Sequence, residues 1–86
     1  MLFITFLEII PGQYTKAIRA FKNPKVDGDI EIKYSLWLFG KPDALIIFEA
    51  ENEQLAGEFV VQFGDVADMK TSVAFPIENM RWTTIH

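Results

Sequence analysis

The chain has 86 residues, no cysteine and a net charge of −4, and half of it is hydrophobic, including 8 Phe and 2 Trp. That length holds one domain. The missing cysteines exclude disulfides and thiolate catalysis, and the acidic balance argues against a general nucleic-acid binder, which needs a basic face for phosphates. A chain this small buries only about 60–65% of the surface its unfolded form exposes. Its apolar content therefore exceeds what one core hides, and the excess is expected to meet another chain or a ligand.

The opening "MLFITFLEII" is apolar but too short to span a bilayer. It lacks the basic start and small-residue cleavage pattern of a leader. Its nearly unbroken run from residue 2 to 10 reads as a strand covered on both faces, in a soluble, cytoplasmic protein. Pro11-Gly12 ends it, and Pro11 suits the first turn of a helix. Tyr14, Ala17, Ile18 and Phe21 then recur at helical spacing, with Lys16, Arg19 and Lys22 outside that stripe as a solvated face. Asn23-Pro24 stops the helix.

Residues 30–39 alternate: Ile30, Ile32, Tyr34, Leu36 and Leu38 share one face, and Glu31, Lys33, Ser35, Trp37 and Phe39 the other. After Gly40-Lys41-Pro42-Asp43, "ALIIFEA" is again apolar on both faces. Asn52 is a plausible helix cap, Leu55, Ala56, Phe59, Val60 and Phe63 make a second helical stripe, and Gly64 closes it. Residues 68–77 alternate once more, and Pro76 suits the end of an edge strand. The order is β-α-β-β-α-β, the ferredoxin-like motif, with the two doubly apolar strands central. A single α+β domain over residues 1–78 is expected, with residues 79–86, "NMRWTTIH", as a tail packing on the domain or on a neighbouring subunit.

Two helices cover one face of such a sheet. Parity places Lys33, Ser35, Trp37, Leu45, Ile47, Ser72 and Ala74 on the uncovered face, with Phe3, Thr5 and Leu7 from the first strand. Four strands about 4.8 Å apart and roughly 20 Å long give a face of the order of 400 Å². That matches the largest apolar patch a monomer tolerates and predicts a homodimer formed through the sheet.

The segment "WLFGKPDALIIFEAEN" resembles the strand–turn–strand of the dimeric α+β barrel superfamily, and within it the GYD domain. Gly40 and Asp43 match that motif, while Lys41-Pro42 replaces its Glu-Tyr. The resemblance implies a four-stranded sheet completing a dimeric α+β barrel. It transfers no function, since fold and function separate freely.

The candidate chemistry is sparse. Gly40 and Asp43 are explained by turn formation, Asp bonding nearby backbone N–H groups. Trp37, beside Lys33 and Ser35, either lines a small-ligand pocket or serves a dimer interface. Asp27, Asp29 and Glu31 alternate as in a calcium loop, but its glycine and its final glutamate are replaced by Ile32 and Leu38, so no metal site is expected. His86, the single histidine, sits at the last position and makes a poor general base. No cofactor is implied. The first functional reading is a homodimeric binding module with a small apolar or aromatic ligand near Trp37, Lys33, Ser35, Thr5, Leu45, Ile47 and Ser72. The alternative, implied by the resemblance, is a cofactor-independent monooxygenase or isomerase using Trp37, Tyr34, Tyr14 and Asp43. A regulatory effector domain ranks third.

Overall fold

The computed structural model describes residues 1–81. Its elements run β1 (Leu2–Ile9), α1 (Tyr14–Lys22), β2 (Ile30–Trp37), β3 (Ala44–Ala50), α2 (Glu53–Val60) and β4 (Ala67–Ala74). Short 3-10 turns follow at Val61–Phe63 and Ile77–Asn79. The βαββαβ order is the expected one. The strands form one antiparallel sheet in the order β2-β3-β1-β4, so the doubly apolar strands are central.

The sheet is open. β2 pairs only with β3, and β4 only with β1, so the expected dimeric α+β barrel is not formed. Both outer strands, β2 and β4, keep one edge without a strand partner, so the sheet ends at two edges and does not curl back on itself. The helices cover one face instead.

That covered face carries the core. From β1 it takes Phe3, Thr5, Leu7 and Ile9, and from β3 Ala44, Ile46, Phe48 and Ala50, all buried. Ala17 of α1 and Ala56, Phe59 and Val60 of α2 close over them, with Phe63 beyond. An aromatic chain runs through the middle. Phe3 stacks on Phe48 at 5.5 Å, Phe48 meets Phe59 edge-on at 4.8 Å, and Phe59, Phe63 and Phe21 continue in edge-to-face contacts. Such offset and T-shaped pairs suit the ring quadrupole. Phe3, Thr5 and Leu7 thus lie under the helices, not on the open face. Both faces of β1 are apolar, so alternation alone did not choose between them.

Local signals explain the element ends. Ile10-Pro11-Gly12-Gln13 is a turn closed by the Gln13 N–H donating to the Ile10 carbonyl at 3.0 Å, with Gly12 at φ 88°. Pro at the second position and a positive-φ glycine at the third make the type II pattern, so Pro11 forms a turn and the helix starts later. The Asn52 carboxamide accepts from the Leu55 N–H at 2.9 Å, the cap expected of it. The 3-10 turn ends against Gly64.

β2 departs from regular alternation. Ile32 stands opposite Phe48, but Tyr34 stands opposite Ile47, so Lys33 is an extra residue, a β-bulge. Beyond it every side chain changes face. Ser35 and Trp37 now share the helix side with Ile46 and Ala44, while Tyr34 and Leu36 join Ile47 and Leu45 on the open side. The expected parity of Ser35 and Trp37 is therefore inverted, because a one-residue slip reverses a two-residue repeat.

Candidate functional site

The bulge builds a groove. It brings Ser35 and Trp37 round to the helix side at the end of β2, where α1 stands over them. The wall from α1 consists of Ile18, Phe21 and Lys22, continued by Pro24; Ala44 and Ile46 of β3 form the base. The cavity has a volume of about 390 Å³, within the range of small-molecule sites. Trp37 is 43% exposed and Ile18 38%, so both present apolar surface to the opening. Leu36 and Leu45 border it as well.

Lys22 is the only ionisable side chain in the lining. It makes no salt bridge among the described residues. The Ser35 hydroxyl likewise has no hydrogen-bond partner among the described residues, so the groove offers an ammonium, a hydroxyl and an indole N–H on an apolar surface. Lys22, expected on a solvated helix face, lines this groove together with Ile18 and Phe21 of the helical stripe. The signal lay in the helix stripe, since Lys22 follows Phe21 directly and Ile18 is one turn before it.

The open face is a second surface. Register places Ile4 between Ile47 and Ser72, and Phe6 between Leu45 and Lys70. Tyr34 and Leu36 extend these two rows across β2. Both are exposed, at 62% and 44%. Acidic residues mark the two ends: Glu31 and Glu49 face each other in one row, and Glu8 faces Asp68 in the other. An apolar centre with a polar and charged rim is the anatomy of a protein interface.

The expected site residues thus separate. Ser35 and Trp37 meet in the groove. Leu45, Ile47 and Ser72 lie on the open face. Lys33 is the bulge residue and pairs with Glu31 at 3.1 Å. Thr5 is buried in the core, its hydroxyl 2.9 Å from that of Thr71. Asp43 is also buried, and its carboxylate accepts from the Ile9 N–H at 2.8 Å. Its backbone N–H donates to Leu7 and its carbonyl accepts from Leu38. Asp43 therefore pins the turn to β1, 34 residues away, where a purely local turn bond was expected. Asp27 accepts from the Asp29 N–H at 3.0 Å, as a solvated acidic turn does. No group of three or more His, Asp or Glu residues is placed to hold a metal among the described residues. No helix of the described residues is long and apolar enough to cross a membrane. His86 and the end of the expected tail lie outside the described residues.

The chain matches no protein-family model, no curated protein and no solved structure. The resemblance to the GYD domain accordingly has no relative behind it, and the two residues that carried it, Gly40 and Asp43, belong to a turn anchored on β1. The chain is a small ferredoxin-like α+β domain with an open sheet and an aromatic core.

Proposed function

We propose that the protein is a homodimeric binding module that holds a small apolar or aromatic ligand in the groove between α1 and the ends of β2 and β3. The observation that carries this reading is Trp37, a large aromatic 43% exposed at a cavity of about 390 Å³ whose lining also holds Ile18 and Phe21 of α1. Exposing apolar surface in a concave site is unfavourable unless something occupies it. The second copy pairs through the open face, whose rows of Ile4, Ile47, Phe6 and Leu45 supply an apolar centre. A monooxygenase or isomerase reading rested on the barrel resemblance, which no relative supports.

A titration with indole, followed by amide NMR shifts, tests the groove. Shifts should concentrate at the end of α1 and at residues 35–37 and 44–46, and Trp37→Ala should weaken binding at least several-fold. Shifts scattered over the surface, or unaffected by that substitution, would remove the groove from consideration.

A further inference from the structure

We infer that the groove takes an amphipathic anion: a small molecule with an apolar or aromatic body and one carboxylate, the body against Trp37 and the carboxylate at Lys22. The inference rests on the groove reading above and names the chemical class of its occupant.

Three observations carry it. The lining holds one charge, the Lys22 ammonium, and no carboxylate. That ammonium is unpaired among the described residues, although the chain has 12 acidic residues against 8 basic ones. A lysine at a helix C-terminus also complements the helix dipole. Here Asn23 donates both its backbone N–H and its side-chain amide to the Arg19 carbonyl, so that carbonyl does not depend on Lys22. Lys22 is left free for another anion.

The second observation is the distribution of charge along the chain. Four of the eight cations, Lys16, Arg19, Lys22 and Lys25, fall within ten residues, and no acidic residue occurs between Pro11 and Val26. The remainder of the molecule carries every Asp and Glu. An anion is repelled from most of the surface and drawn to the α1 side, which steers it to this groove. The third is the polar inventory. Ser35 adds a hydroxyl donor beside Trp37, whereas the rest of the lining is apolar. One charged end and one dry end therefore match the site. At interior packing density the cavity accommodates a ligand on the order of 15 non-hydrogen atoms.

The test compares 4-phenylbutanoate with its uncharged amide, 4-phenylbutanamide, by amide NMR titration of the native protein and of Lys22→Gln. Lys22 is exposed, and an unchanged spectrum away from the groove reports that the variant keeps its fold. The acid should bind about five- to tenfold more tightly than the amide, the discrimination expected of a partly exposed ion pair with hydrogen bonding. That preference should vanish in Lys22→Gln, persist in Lys22→Arg and shrink as salt is raised. Equal binding of acid and amide at the groove residues would overturn the anion inference and leave the groove reading standing. A preference that survives Lys22→Gln would overturn it too, by moving the charge recognition elsewhere. If neither compound shifts groove amides at millimolar concentration, both the inference and the groove reading fail.

Discussion

Asp43 shows how much one side chain can decide. Its carboxylate takes the Ile9 N–H, a buried donor lying beyond the last residue pair between β1 and β3. Pro42, next along the turn, has no N–H to extend that ladder. Lys41 approaches the same oxygen at 3.8 Å from the exposed side. Truncation by Asp43→Ala leaves the Ile9 donor unsatisfied and should cost about 1–3 kcal/mol. Asp43→Asn keeps an acceptor oxygen and should lose less. Urea denaturation of the two variants side by side checks this; equal losses would mean that the hydrogen bond is not what matters. The residue's importance was legible in the sequence only as a turn signal. Its partner is remote, and no local pattern announces a contact with β1.

At the scale of elements, the central strands were the most readable part of the chain and the edge strand β2 the least. A run apolar on both faces must be covered on both, which places β1 and β3 in the middle whatever the helices do. Phe48 is the clearest consequence: fully buried, stacked on Phe3 and edge-on to Phe59. Phe48→Ala should cost about 3–5 kcal/mol, a large part of the 5–15 kcal/mol typical of a native domain. A thermal melt should show a broad, much lowered transition, with Phe48→Leu intermediate. β2 hid its bulge because no glycine or proline marks Lys33. The slip is set by the ladder to β3, in which Ile32 meets Phe48 and Tyr34 meets Ile47. Through that single extra residue Trp37 leaves the open face and enters the groove.

For the whole molecule, the consequence is that the groove and the open face lie on opposite sides of one sheet. If the open face pairs two copies, the substitution Ile47→Asp places a charge in the middle of the apolar rows and should convert dimer to monomer by native mass spectrometry, with the fold retained. Trp37→Ala, on the other side, should leave the subunit count unchanged. A monomer in the unsubstituted protein would refute pairing through the sheet, and loss of the dimer in Trp37→Ala would contradict the division of the two surfaces. The acidic residues at both ends of the open face, Glu31 and Glu49 at one and Glu8 and Asp68 at the other, belong at the solvated rim of such a pairing, where Glu31 and Glu49 are already met by Lys33 and the N-terminal amine.

The order of elements, the central position of β1 and β3, the helix stripes and the Asn52 cap all follow from the sequence by itself, because each depends on residues close together in the chain or on a run that must be dry on both sides. The side of the sheet taken by Phe3, Thr5, Leu7, Ser35 and Trp37 was decided only by the tertiary structure. A doubly apolar strand has no polar face to orient it, and a bulge set by a neighbouring strand reverses parity for all that follows. The groove that gathers Trp37, Ser35 and Lys22 is a product of that decision: its walls come from a helix and two strands whose sequences bear no local sign of one another.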